Sequence, residues 1–140
     1  MQLTTKPILT LDVAKKIAAA ARTEALKNDW PVAITIVDPA GLHIYFQKLD
    51  GTQLGSVEVS IAKARSAALL KRPSKVLAEV VAAGNVGMML LPGAIAVEGG
   101  VPLYEGDEIV GAIGISGVMS NQDGICAQAG VDALAAILDS

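Results

Sequence analysis

The stretch VPLYEGDEIVGAIGISG, residues 101–117, decides the fold. It contains two runs rich in apolar and β-branched residues, 101–104 and 108–116, joined by the short link Glu105-Gly106-Asp107. Gly and Asp in so short a link are typical of a tight hairpin turn between antiparallel strands. The stretch therefore predicts two neighbouring strands of one sheet, around which the rest of the chain must be arranged.

One face of the second predicted strand is almost bare of side chains. Alternate residues of a strand share a face, so Val110, Ala112, Gly114 and Ser116 point to the same side. The glycines follow the pattern GxxGxxG, which differs from the dinucleotide fingerprint GxGxxG, and the chain has no Gly-Lys-Ser/Thr phosphate loop. A bare face permits close approach by a helix, which is the simplest interpretation, or by a second subunit or a flat ligand.

A second hairpin is predicted upstream of the first. The runs 32–37 (VAITIV) and 42–49 flank Asp38-Pro39-Ala40-Gly41, in which Pro presets φ, Asp can cap the turn and Gly closes it. Strict alternation along the returning strand places Leu42, Ile44 and Phe46 on one face, and His43, Tyr45 and Gln47 on the other.

Helices complete the predicted order. Thr10 is a suitable N-cap for a helix over residues 11–27, whose apolar stripe is mostly alanine. Further helices are expected at 57–71, at 74–83 and from Asn121 to about residue 138, and a further strand at 94–97. The order α-β-β-α-α-β-β-β-α predicts one α+β domain, residues 1–140, with an antiparallel five-stranded sheet flanked by helices.

The composition is unusually apolar. Hydrophobic residues make up 52% of the 140 residues and charged residues 18%, and the mean hydropathy is +0.51. Residues 80–97 carry no charge, yet they contain Gly84, Gly87, Pro92 and Gly93, which would interrupt a spanning helix. We therefore expect no membrane partner, and we expect the apolar excess to be buried between copies of the chain in a homo-oligomer.

Charge and cysteine content restrict the function further. The net charge of −3 and the 3% aromatic content argue against a nucleic-acid partner, which would require a basic patch or stacking rings. The single cysteine, Cys126, cannot form an internal disulfide, and no secretory signal opens the chain. These features predict a cytoplasmic location.

The candidate binding residues are few. His43 is the only histidine, so a Ser-His-Asp relay or a histidine-based metal cluster would need unusual substitutes to be complete, and no metal site is predicted. His43 is either a surface or interface residue or, with Tyr45, an axial ligand for a haem-like cofactor. Gly99-Gly100 forms a second glycine site, interpreted as a turn or as exposed backbone N–H groups that could meet a ligand.

Three other features have a structural and a functional interpretation. Cys126 is either a buried structural thiol or one activated by the start of the last helix. Lys63 is expected to point to solvent, with anchoring of a ligand carboxylate as the alternative. Met88 and Met89 are expected in the core.

Several segments, in order and over most of the chain, resemble the GlcG/HbpS family, also seen as the C-terminal domain of PduO-type adenosyltransferases. The segments are Ile36–Gly41 (IVDPAG), Lys48–Gly51 (KLDG), Ser60–Ala64 (SIAKA), Gly99–Pro102 (GGVP) and Val110–Gly117 (VGAIGISG), with Asp123 and Ala127 beyond.

The resemblance implies a profilin-like or PAS-like fold and ring-like assemblies, often octamers. Some members of the family bind or degrade haem, and the PduO relatives place it near corrinoid chemistry. A PduO-type domain ligates haem through a histidine on the first helix, and residues 11–27 here contain none. The resemblance therefore transfers no ligand position to this chain.

These observations lead to three hypotheses. The first is an oligomeric small-ligand-binding protein for haem, a corrinoid or another metabolite. Its ligand would lie either in a cleft lined by Gly99, Gly100, Ser116 and Gly117 or at a subunit interface near His43. The second is an enzyme of haem degradation or an accessory of cobalamin-dependent diol or glycerol metabolism. The third is a structural module without a small ligand.

Overall fold

A four-stranded antiparallel sheet with helices on both faces forms the molecule in the computed structural model, which describes residues 1–140. The strands β1 (Ala33–Val37), β2 (His43–Lys48), β3 (Gly100–Glu105) and β4 (Glu108–Ser116) lie in the order β2-β1-β4-β3. The helices are α1 (Leu11–Lys27), α2 (Ser56–Leu70), α3 (Ser74–Ala82) and α4 (Ser120–Leu138), with a 3-10 helix at Val86–Leu90. The α+β class and both hairpins are confirmed.

The prediction of a fifth strand at residues 94–97 is wrong. Gly93 has φ +83° and the Ala94 N–H donates to the Leu91 carbonyl, so the chain turns where the strand was expected to begin. The N–H of Ile95 then donates to the Ser66 hydroxyl of α2 at 3.4 Å instead of to a neighbouring strand. A helix side chain thus takes the place of a strand partner, and β3 remains the edge of the sheet.

A bulge in β2 changes which residues share a face. Val37 pairs with His43 and Ile36 pairs with Tyr45, so Ile44 is an extra residue in the ladder. Paired residues lie on the same face, and neighbours on β1 lie on opposite faces. His43 therefore faces α2 with Val37, whereas Tyr45 faces α1 and α4 with Ile36. The expectation that His43 and Tyr45 share a face is wrong, because strict alternation fails across a bulge.

The larger core lies between the sheet and the pair α1 and α4. It contains 17 buried residues, including Ile34, Ile36, Ile113 and Ile115 of the central strands. Helix α1 begins where Thr10 Oγ1 accepts a hydrogen bond from the Val13 N–H at 3.2 Å. The alanines of its predicted stripe, Ala14, Ala18, Ala21 and Ala25, are buried, but Leu11 is 55% exposed. Small side chains let α1 lie close to the sheet.

Helix α2 packs tightly on the opposite face of the sheet. A side chain at Gly114 would collide with the backbone of Ser60 and Ala64, and one at Gly100 would collide with the backbone of Lys63. The bare strand face and the glycine pair thus admit α2 at backbone distance. Helix packing, the simplest interpretation of the glycine pattern, is confirmed for Gly114.

The sheet has two open edges, β2 and β3. Pro102 lies within β3, opposite Ala112 of β4. No helix of the structure is long and apolar enough to cross a membrane.

The 3-10 helix lies at the surface. None of its residues is buried, and Met89 is 51% exposed. The expectation that Met88 and Met89 belong to the core is wrong, because the short helix Val86–Leu90 packs mainly against α3, at the surface.

Candidate functional site

A buried ion pair links α2 to α4 across the end of the sheet. Lys63 Nζ lies 3.0 Å from Asp123 Oδ2, and the two side chains are only 1% and 3% exposed. Lys63 Nζ also donates to the Ile115 carbonyl at 3.0 Å, while Asp123 Oδ1 accepts from the Val118 N–H at 3.2 Å. The pair thus joins α2, the end of β4 and the start of α4.

Glycines make room for this pair. A side chain at Gly99 would meet Lys63 Nζ at 2.8 Å, and Gly100 lies against the Lys63 backbone. The Ser74 hydroxyl accepts from the Gly100 N–H at 2.9 Å, and the Gly99 carbonyl accepts from the Ile115 N–H at 2.9 Å. The N–H of Gly100 is therefore already bonded, and Lys63 fills the space beside the glycines.

The structure brings most of the predicted cleft residues together around Lys63. Ser116, 5% exposed, ends β4 next to the Ile115 carbonyl that Lys63 contacts. Gly117 lies so close to Pro31 and Val32 that a side chain would collide with their backbone. Gly99, Gly100 and Ser116 are buried, and Lys63 occupies the space beside the two glycines.

Burial shifts the pKa of both members of the pair. Desolvation lowers the pKa of Lys63, and the carboxylates of Asp123 and Glu98 partly oppose it. Desolvation also raises the pKa of Asp123, opposed by Lys63 and by backbone hydrogen bonds. The attraction within the pair therefore only partly offsets the free energy of removing two charges from water.

The expectation that Lys63 points to solvent is wrong. Helix α2 buries Ser56, Ser60, Lys63, Ala64 and Ala67, which recur at helical spacing along one stripe. Lys63 lies within that stripe, while Arg65 is exposed. The periodicity of α2 was a signal that Lys63 is buried. Its ion-pair partner, Asp123, lies 60 residues away in the sequence and has no local signature.

His43 is exposed at the start of the edge strand β2 and makes no side-chain hydrogen bond. Phe46 shares its face, because it pairs with Thr35, whose hydroxyl contacts Ser60 of α2 at 2.9 Å. Helix α2 packs mainly on β1, β3 and β4, so this part of β2 is left uncovered. Phe46 is accordingly only half-buried.

The surface beside His43 is apolar with one cation. Leu42 is 59% exposed and Leu69, at the end of α2, is 43% exposed. Leu69 and Arg65 both lie against Gly41, since a Cβ at Gly41 would lie 3.5 Å from Leu69 and 3.7 Å from Arg65. We call His43, Leu42, Phe46, Arg65 and Leu69 the His43 surface.

Tyr45 lies on the other side of the sheet, half-buried against the larger core. Its hydroxyl accepts a hydrogen bond from Gln47 Nε2 at 3.3 Å. His43 and Tyr45 therefore cannot contact one ligand from a common face.

Cys126 is fully buried in the larger core. Burial, together with the nearby carboxylates of Asp123 and Glu24, raises the pKa of the Cys126 thiol to about 12. A thiol without solvent contact that keeps its proton at neutral pH is a poor nucleophile. The structural interpretation of Cys126 is confirmed.

No group of three or more His, Cys, Asp or Glu side chains is arranged to hold a metal ion. The arrangement as a whole defines an α+β domain in which a buried ion pair joins α2 to α4 and the strand face beside His43 is exposed.

Comparison with known proteins specifies the class. A family model described as "Haem degrading protein HbpS-like" matches residues 9–132. The chain belongs to this family, which includes GlcG: Protein GlcG of Escherichia coli K12 is 37% identical over 112 residues, which cover 80% of this chain and 84% of GlcG.

Two solved structures are similar over nearly the whole chain. Klebsiella pneumoniae protein ORFY is 29% identical with a TM-score of 0.89, covering 97% of both chains. A PduOC:heme complex is 27% identical with a TM-score of 0.82, covering 90% of this chain and 94% of that one.

Proposed function

We propose that this protein is an oligomeric binding protein for a tetrapyrrole, with haem as the first candidate and a corrinoid as the second. The observation that carries the proposal is His43, an exposed imidazole without a hydrogen bond on a strand face that no helix covers. Membership of a family described as haem-degrading, and similarity to a domain solved with haem, support it.

The His43 surface fits the chemistry of haem. Haem iron accepts a histidine nitrogen as axial ligand. Phe46, Leu42 and Leu69 offer apolar contact to a flat ring, and the exposed Arg65 guanidinium is suited to a propionate carboxylate. When bound, haem would supply redox chemistry at its iron, while these residues hold and orient it.

A second copy of the chain is part of the proposal. One shallow surface leaves the outer face of a ring in water, and only a partner can cover it. Large apolar side chains are exposed on the His43 surface, at Leu42 and Leu69. Others are exposed in or just after the 3-10 helix: Val86, Leu90 and Leu91. We propose that copies associate through such surfaces, in an octamer, and that the ligand is held where two copies meet.

Gly99, Gly100, Ser116 and Gly117 offer the alternative position for a ligand. A ligand there would have to displace Lys63 from its contacts with Asp123 and Ile115. The His43 surface requires no such displacement, so we place the ligand at His43.

Titration with haemin tests the proposal. We expect a shifted Soret band with the wild-type protein and its loss in His43→Ala, with unchanged circular dichroism. Tyr45→Phe is the matched control, because Tyr45 is two residues away but on the opposite face of the sheet. A band abolished by Tyr45→Phe and kept by His43→Ala would refute the assignment of His43. No shift with haemin, and none with hydroxocobalamin, would refute tetrapyrrole binding and leave the structural module.

Haem degradation is the alternative function, favoured by the description of the family model. It predicts that the Soret band of the haem complex disappears on addition of a reductant in air, at a rate above that of free haemin. A stable band under these conditions would leave binding as the function.

A further inference from the structure

A groove of about 620 Å³ lies between the end of α1 and the end of β2. Its lining includes Arg22, Asp29, Trp30, Gln47, Lys48 and Asp50. The volume is within the range of about 300–1,000 Å³ that is usual for small-molecule sites. Gln47 faces α1, so the groove opens on the side of the sheet opposite to His43.

Three unpaired charges line the groove. Arg22 is cationic and Asp29 and Asp50 are anionic, yet none of them forms an ion pair or a side-chain hydrogen bond. Lys48 pairs with Ala33, so its side chain points to the opposite face of the sheet from Gln47. The ion pairs of the structure involve other residues, such as Lys27 with Glu24 one turn away on α1. One cation and two anions beside one groove are suited to a ligand that carries both signs of charge.

Asp29 occupies a position where glycine is usual. The N–H of Trp30 donates to the Ala25 carbonyl at 2.9 Å and that of Asp29 to the Leu26 carbonyl at 3.2 Å, which is a Schellman ending of α1. Asp29 has φ +58°, a conformation that costs free energy for any residue with a Cβ. Asp tolerates this conformation better than most residues, and the helix ending places its carboxylate next to Trp30.

Gln47 adds a polar atom without a partner. Its Nε2 donates to Tyr45 Oη, but its Oε1 is buried and accepts no hydrogen bond. A buried acceptor in this state costs free energy, which a ligand N–H could recover after a small rotation of the amide.

We propose that this groove binds a small zwitterion of the amino-acid class with an apolar side chain. The ligand carboxylate lies by Arg22, its ammonium group by Asp29 and Asp50, and its side chain against the Trp30 indole. This site is separate from the His43 surface and does not depend on tetrapyrrole binding.

Trp30 is the only tryptophan of the chain, so its fluorescence reports on the groove directly. The probe is L-phenylalanine, which is not excited at wavelengths that select tryptophan. We expect a saturable change in Trp30 emission with L-phenylalanine. Binding of 3-phenylpropionate, which lacks the ammonium group, and of phenethylamine, which lacks the carboxylate, should be at least about tenfold weaker.

Substitutions test which side chain binds the carboxylate of the ligand and which binds its ammonium group. Arg22→Gln should weaken L-phenylalanine and 3-phenylpropionate but not phenethylamine, and Asp50→Asn should weaken L-phenylalanine and phenethylamine but not 3-phenylpropionate. Lys27→Gln is the control, because Lys27 is exposed on the same helix but does not line the groove. His43→Ala should bind L-phenylalanine as the wild type does. Equal affinity for all three probes, or no saturable change with L-phenylalanine, would overturn the proposal.

Discussion

At the level of single residues, the most unusual feature is the burial of two charged side chains, Lys63 and Asp123. Each would be costly to bury alone, and each is stabilised by the other and by one backbone group. The pair joins two helices on opposite faces of the sheet, so its loss should affect the whole fold and not one surface.

Removal of one charge of the pair should destabilise the protein far more than removal of both charges. Lys63→Met leaves the Asp123 carboxylate buried without its cation, and we expect a loss of about 3–5 kcal/mol in the free energy of unfolding, measured with urea. Because burial raises the pKa of Asp123, the loss should shrink as the pH falls and Asp123 is protonated.

The double variant Lys63→Met/Asp123→Asn should recover part of that loss. Lys75→Met, at an exposed position of α3, is the control and should change stability by no more than about 0.5 kcal/mol. Additive effects of the two single substitutions would contradict a direct interaction between Lys63 and Asp123.

Cys126 predicts a specific pH dependence at high pH. Its pKa in the folded protein is about 12, above the ordinary value of 9.0, so the folded state holds the thiol proton more tightly. This contribution to stability is complete below pH 9.0 and is lost as the pH rises towards 12. The wild type should therefore lose up to about 1.4 kcal/mol per pH unit more than Cys126→Ala in this interval, measured by urea unfolding. Parallel curves would show that the thiol is not desolvated.

At the level of elements, turns and caps were predictable and long-range packing was not. Thr10, Asp38 and the Glu105–Asp107 link act through neighbours in sequence, and α1 and β4 have the predicted bounds. The bulge at Ile44 depends on the ladder with β1, which the residues of β2 alone do not specify. Residues 94–97 have strand-like composition but meet Ser66 of α2.

The candidate site, too, could be predicted from the sequence only in part. The sequence identified His43 as a candidate because it is the only histidine. That no helix covers it could be seen only in the structure. The groove beside Trp30 was not foreseen, since its charges come from two separate segments, 22–31 and 47–51.

The close contact between α2 and β4 makes glycine necessary at one position and optional at another. Gly114→Ala should destabilise the protein by about 1–3 kcal/mol or more, because the new methyl group meets the backbone of Ser60 and Ala64. Gly55→Ala, just before α2, has no atom within 4 Å of the new methyl group and should be nearly neutral. Thermal unfolding of both variants measures the difference, and equal melting temperatures would contradict this packing.

At the level of the whole molecule, the exposed apolar surface supports the proposed association of copies. Leu90 is 85% exposed in the 3-10 helix, and Leu69 and Leu42 are exposed beside His43. With a net charge of only −3, little electrostatic repulsion opposes association.

Light scattering should show a particle several times heavier than the 14.3 kDa chain. Leu90→Glu places a charge on the proposed contact surface and should reduce the mass of the particle. Leu3→Glu, in the exposed N-terminal segment, is the comparison and should leave the mass unchanged. A wild-type chain that is monomeric at micromolar concentration would remove the oligomer from the proposal.

Pro102 limits how such a particle can grow. A proline has no backbone N–H to offer, so an incoming strand cannot form a continuous ladder along the free edge of β3. Copies are thereby directed away from end-to-end extension of their sheets, the arrangement that propagates fibrils. The missing N–H of one proline in an edge strand therefore disfavours open-ended aggregation of this apolar chain through that edge.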